Sequence, residues 1–125
     1  MDTTIATTTS TIESPKTNYY APITKEMILD YLRELKPQLE KDGITKLGLF
    51  GSYARDCADE NSDIDIVIRT NDEFRKKYVG FAAFIFLEKL RTGVESHFGL
   101  DADLCNLKNY TNDEISKFFK GAIYV

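Results

Sequence analysis

Two short apolar runs, Ile44 to Phe50 (ITKLGLF) and Ile64 to Ile68 (IDIVI), flank the polar segment GSYARDCADENSD. Runs of this length, rich in Ile, Leu and Val and bounded by turn residues, are too short for core helices and read as buried strands. The first closes on Gly51-Ser52, a turn that feeds a short helix from Tyr53 to about Cys57. On the second, the alternation of an extended chain puts Asp63 and Asp65 on one face and Ile64 and Ile66 on the other. Two carboxylates therefore stand side by side.

The rest of the chain supplies helices to cover such strands. Ile28, Tyr31, Leu32, Leu35 and Leu39 form one apolar stripe, which predicts a helix capped by Thr24 and ending near Asp42-Gly43. Pro37 lies inside this pattern and predicts a kink or a restart, because proline lacks the backbone donor. From about Tyr78 to Phe98, helical spacing of Phe81, Phe84, Leu87, Leu90, Val94 and Phe98 predicts a second long core helix ended by Gly99. LDADLCNL then alternates Leu100, Ala102 and Leu104 against Asp101, Asp103 and Cys105, a third strand with an acidic face. Thr111 to Glu114 (TNDE) is a capping-box pattern opening a last helix, with Ile115, Phe118, Phe119, Ala122 and Ile123 inward.

Seven Thr in the first 17 residues, without periodic apolar positions, predict a flexible tail over residues 1–20, leaving 21–125 as one domain. A net charge of -4 argues against a broad basic face for nucleic acid, so no direct nucleic-acid binding is expected. Two cysteines, Cys57 and Cys105, and the single His97 do not supply a zinc site. No apolar run is long enough to span a bilayer and no secretory leader is legible, so the expectation is a cytoplasmic chain without a membrane partner.

One grouping carries chemistry. A glycine and a hydroxyl at a helix start offer backbone N–H groups to phosphate oxygens, which is the role open to Gly51 and Ser52. Adjacent aspartates repel one another unless a cation lies between them, and hard carboxylate oxygens suit Mg2+ bound with substrate phosphates. A third acid, Asp103 or Asp101, then comes from the next strand as a ligand or a general base. Each piece alone is ordinary: Gly-Ser is commonly a turn, Asp-x-Asp a solvated face, and Arg55 and His97 surface or packing residues. Their order along the chain is what is uncommon.

That order resembles a known signature. The run GSYARDCADENSDIDIVI resembles the G-S-x-A-R-G, five residues, S-D-x-D pattern of the minimal nucleotidyltransferases, a branch of the DNA polymerase beta-like nucleotidyltransferase superfamily. ITKLGLF is similar to the family's first strand, FGLDADLC to the strand bearing its third aspartate, and KFFKGAIYV to its closing helix, so the likeness covers about residues 24–125. The resemblance implies a mixed α/β (α+β) fold, a small central sheet flanked by helices. It assigns Gly51, Ser52 and Arg55 to the nucleotide, and Asp63, Asp65 and Asp103 to metal and catalysis, with Asp101 the second choice. The family's glycine after the arginine is Asp56 here, which adds a side chain and a negative charge near the phosphates.

The implied reaction is Mg2+-dependent transfer of a nucleoside monophosphate, AMP from ATP, to a hydroxyl. The acceptor it implies is a tyrosine of a HEPN-domain toxin, the chain acting as antitoxin. Two other readings stand beside it: an antitoxin that neutralises its toxin by binding alone, motivated by Asp56, and modification of a small hydroxylated molecule.

Overall fold

The computed structural model describes residues 22–125, and the expected Thr-rich tail, residues 1–20, lies outside the described residues. The chain runs α1 (Lys25–Lys41), β1 (Ile44–Phe50), α2 (Gly51–Ala54), β2 (Ile64–Thr70), α3 (Asp72–Lys77), α4 (Phe81–Phe98), β3 (Ala102–Asn106), a 3-10 turn (Leu107–Asn109), α5 (Asn112–Phe118) and β4 (Ile123–Tyr124). The strands form one mixed sheet in the order β3-β2-β1-β4, with β2 and β3 parallel and the other pairs antiparallel.

Strand alternation divides the sheet into two unlike faces. One face presents Ile44, Leu47 and Leu49 of β1, Ile64, Ile66 and Ile68 of β2, and Ala102 of β3 to Ile28, Leu29 and Leu32 of α1 and Val94 of α4. On β1 the pairing register shifts between Ile44 and Lys46, which lets both Ile44 and Leu47 reach this core. The other face carries a smaller cluster, Val67, Leu107 and Phe119, with Phe50 edge-on to Phe119 at 4.9 Å between ring centroids. That cluster covers the middle of the sheet and leaves its β1–α2 end to polar side chains.

Local chemistry sets the helix ends. Thr24 Oγ1 accepts the Met27 N–H at 3.2 Å, as expected for the start of α1. Thr111 and Glu114 exchange both capping-box bonds, at 3.1 and 2.8 Å. Proline does not interrupt α1: one helix spans Pro37, whose side chain is exposed, while Leu32 and Leu39 on either side of it are buried against the core. Packing on both sides of the missing donor holds the two halves in one element.

The long helix expected from about Tyr78 to Phe98 is α4, and a further short helix precedes it: Asn71 Oδ1 accepts the Phe74 N–H at 3.0 Å and opens α3, which ends before the Val79-Gly80 link. Two expectations about helices are corrected. Phe81 and Phe84, expected in the core, are 71% and 56% exposed. An 18-residue helix reaches about 27 Å, whereas the five residues of β3 reach about 17 Å, so the first turns of α4 overhang the sheet. Finally, the last helix stops at Phe118, itself 59% exposed, and Ile123-Tyr124 is not helical but an edge strand paired to Gly48 and Leu49.

Asp42, buried at the end of α1, ties that helix to α3. Its Oδ1 accepts from Lys77 Nζ at 2.7 Å and from the Tyr78 hydroxyl at 2.9 Å, and the Lys77 ammonium beside it holds the carboxyl below the usual carboxylate range. A carboxyl whose folded pKa is depressed stabilises fully above its unfolded value, about 3.9, and loses that contribution as pH falls through the folded value. Urea unfolding from pH 5 to pH 3 is therefore expected to show a steeper loss of stability in the wild type than in Asp42→Asn. In the same assay Leu32→Ala, fully buried, is expected to lose about 2–5 kcal/mol, and Phe84→Ser less than about 0.5 kcal/mol.

Candidate active site

The polar end of the second sheet face is built where β1 leaves the sheet and β2 and β3 enter it. Phe50, the last residue of β1, is in register with Asp65, and Asp65 is in register with Asp103 across the parallel pair. Residues paired in register project to the same side, so Asp65 and Asp103 are neighbours on one face. Asp63 comes two residues before Asp65, just outside β2, and is exposed, as is Asp103; Asp65 is half-buried.

Gly51 is the close partner of this acid. Its φ is +77°, and a Cβ placed on it would overlap Asp65 Oδ2 and lie 3.0 Å from Asp65 Cγ. A side chain there is excluded twice, by the left-handed backbone and by the carboxylate. The turn that starts α2 thus lies against the Asp65 side chain. The N-cap position, Phe50, supplies no side-chain cap, and Ser52 is half-buried at the second position of the helix. Tyr53 and Ala54 are buried and anchor the turn to the core.

Electrostatics tie the acids together. Burial pushes the Asp65 carboxyl up, the charges of Asp103 and then Asp63 push it further in the same direction, and Arg55 opposes them. These four side chains therefore sense one another across the end of the sheet. Asp101 is not among those influences: its backbone carbonyl accepts the Ile64 N–H at 2.9 Å, which sets the register, and its side chain is exposed. Of the two candidates for a third acid, Asp103 is the one brought opposite Asp65.

Among the described residues, no three His, Cys, Asp or Glu side chains are arranged to hold a metal ion by themselves. The donor set still fits Mg2+, which takes one or two carboxylates and completes its shell with water and substrate phosphates rather than a full protein cage. Burial and then the charges of Asp103 and Asp63 raise the Asp65 carboxyl, and a cation among them would favour its ionised form.

The polar loop after α2 separates into distinct roles. Asp59 Oδ1 accepts from the Asn61 N–H at 2.8 Å and the Ser62 hydroxyl at 3.2 Å, so this acid closes the loop on itself. Asp56 has a φ of 59°, the left-handed region that glycine enters without strain. Its carboxylate is held by Lys25 Nζ at 2.8 Å, at the start of α1. The negative charge that departs from the family pattern is thus paired with a lysine.

Two neighbours escape a reading by motif. Cys105, two residues beyond Asp103, is half-buried on the same face; burial raises its thiol, and a hydrogen bond joins it to Tyr110. Strand alternation after Asp103 signals its side of the sheet, whereas nothing local signals the Lys25–Asp56 pair, 31 residues apart. His97 stacks on Tyr31 at 4.2 Å between ring centroids and takes no part in the acidic cluster.

Comparison with known proteins places the chain in a family. The family described as Nucleotidyltransferase domain matches residues 26–125. Protein adenylyltransferase MntA of Thermococcus cleftensis is 31% identical over 106 residues, covering 84% of this chain and 99% of that protein. Among solved structures, a toxin-antitoxin crystal structure with AMP-PNP superposes with a TM-score of 0.54 at 22% identity, covering 82% of this chain and 72% of that one. A mutant of the toxin-antitoxin MntA-HpeT gives 0.53 at 20% identity, covering 82% and 72%. At these identities the structural matches establish the fold.

The geometry of the turn sets two expectations for stability. Gly51→Ala is expected to lose about 1–3 kcal/mol, from left-handed strain and displacement of Asp65. Asp56→Gly is expected to remain within about 1 kcal/mol of the wild type, relief of strain offsetting the lost ion pair, while Asp56→Ala loses about 1 kcal/mol. Chemical denaturation of the three variants checks both.

Proposed function

Because the chain belongs to the nucleotidyltransferase domain family, we propose that it is an antitoxin that transfers AMP from ATP to a tyrosine hydroxyl of a HEPN-domain toxin, with Mg2+ as cofactor. The observation that carries this reading is the register that sets Asp65 opposite Asp103, with Asp63 beside them and the Gly51 turn against Asp65. The relative named protein adenylyltransferase supports a protein as acceptor. The toxin-antitoxin structure with AMP-PNP supports an adenine nucleotide as donor and a toxin as partner.

In this reading the acceptor oxygen attacks the α-phosphorus of ATP. A new P–O bond forms, the bond between the α-phosphorus and the bridging oxygen breaks, and pyrophosphate leaves with that oxygen. Asp103 sits at the edge of the cluster, exposed, and takes the proton from the acceptor hydroxyl. Backbone N–H groups at Gly51 and Ser52 hold phosphate oxygens, and Arg55 balances the charge of the triphosphate. Asp63 and Asp65 would hold Mg2+, which supplies charge neutralisation for the phosphates. Little covalent chemistry is asked of the protein, so alignment of these groups accounts for most of the rate.

A binding-only antitoxin, motivated by Asp56, is the second reading; the Lys25 pairing offsets the charge of Asp56 and favours the catalytic one. No helix among the described residues is long and apolar enough to cross a membrane; a cytoplasmic location belongs to the proposal.

The test uses the purified chain, a HEPN-domain toxin partner, α-labelled ATP and Mg2+. Label is expected on a toxin tyrosine, and Asp65→Asn and Asp103→Asn are each expected to lower its rate at least about 100-fold. An unlabelled toxin with each of the four nucleoside triphosphates, or labelling indifferent to both substitutions, overturns the reading.

A further inference from the structure

The third acid is carried on an edge strand, and an edge strand is open on one side. In the parallel ladder the Asp101 carbonyl accepts from Ile64, so the odd-numbered residues turn their backbone groups toward β2 and Ala102 turns its own toward the open edge. Both of those outward groups are nevertheless bonded. Glu95 Oε2 accepts the Ala102 N–H at 2.9 Å, and Arg91 Nη1 donates to the Ala102 carbonyl at 3.2 Å.

The two side chains are also locked to each other and to the helix that bears them. Arg91 Nη1 donates to Glu95 Oε2 at 2.8 Å, while its Nε and Nη2 donate to the two oxygens of Glu88 at 3.1 and 2.9 Å. Arg91 and Glu95 are one turn apart on α4, so they face the same way. Each is only 27% exposed. Together they grip both outward backbone groups of one residue.

That residue directly precedes Asp103. Without the grip, the first residue of a five-residue edge strand would rely on water for both outward groups, and strand ends of this kind open readily. A rotation of the Ala102 peptide would carry the Asp103 carboxylate away from Asp65, and misplacement by about 1 Å at a reacting centre is enough to cost on the order of 100-fold in rate.

We infer that Arg91 and Glu95 are positioning residues, a backbone clamp on Ala102 that holds Asp103 in register with Asp65 for nucleotidyl transfer. The inference rests on the functional reading above for its catalytic half and on the geometry of the edge for its structural half. A pair that merely fastened α4 to the sheet would influence unfolding and leave turnover unchanged, and this difference separates the two roles.

The experiment compares Glu95→Ala, Glu95→Gln and Arg91→Ala with the wild type in the toxin-labelling assay, alongside amide hydrogen exchange of the free chain. Glutamine keeps an oxygen acceptor for the Ala102 N–H, which alanine does not. The expected result is a drop in kcat of about 10- to 100-fold for Glu95→Ala and Arg91→Ala, with KM for ATP within about twofold, and recovery to within about threefold of wild type in Glu95→Gln. Exchange at the Ala102 amide is expected to accelerate at least about tenfold in Glu95→Ala while amides of β1 and β2 stay protected. Unchanged kcat in folded Glu95→Ala, or a glutamine variant as slow as the alanine one, overturns the inference. A wild type that labels no toxin fails the functional reading instead, and the exchange then decides the clamp: protection kept at Ala102 in Glu95→Ala overturns it, protection lost upholds it.

Discussion

Asp65 and Asp103 stand opposite one another on paired parallel strands, two like charges brought together by the apolar residues that flank them. Ile64, Ile66 and Ile68 of β2 and Ala102 of β3 must face the helices, and the side-chain period of two then forces Asp65 and Asp103 to the other side. A slip of one residue would bury the acids and expose the isoleucines. The core thus fixes the site, and the free energy of burying aliphatic side chains holds carboxylates where they repel. Partial burial raises the Asp65 carboxyl, and the repulsion from Asp103 adds to it.

The remainder of the site follows from making room for these charges. Gly51 is in a left-handed conformation against Asp65, so the strand-to-helix turn passes the carboxylate at van der Waals range and brings the start of α2 to the same end of the sheet. Asp56 takes a backbone shape that favours glycine, and the ion pair to Lys25 holds it there while joining the site loop to α1. On the opposite flank, the Arg91–Glu95 pair serves the open side of β3. Support for the acids therefore arrives from α1, α2 and α4, elements far apart in sequence.

Much of this was legible in the chain. Strands β1 and β2 and the Thr24 and Thr111 caps follow from side-chain period and capping chemistry, which are local. The short helix α3 carried its own signal, Asn71 followed by Asp72 and Glu73 and closed by Arg75, Lys76 and Lys77, but the aromatic periodicity downstream masked it. Phe81, Phe84 and Phe118 have helical spacing and yet lie exposed, because periodicity reports which residues share a helix face and not how far the sheet beneath extends. Ile123 was read as helix and forms an edge strand, since a two-residue strand has no period of its own.

By itself the sequence determined the alternation of strands and helices, the face on which each acid lies, and the glycine turn before them, because each depends on neighbours within a few residues. Tertiary structure decided the pairing of Asp65 with Asp103 in preference to Asp101, the capture of Asp56 by Lys25, and the hold of Arg91 and Glu95 on Ala102. Those contacts join residues brought together by parallel strand pairing and by helices folding back on the sheet. Their geometry is set by how apolar faces pack, which no local pattern encodes.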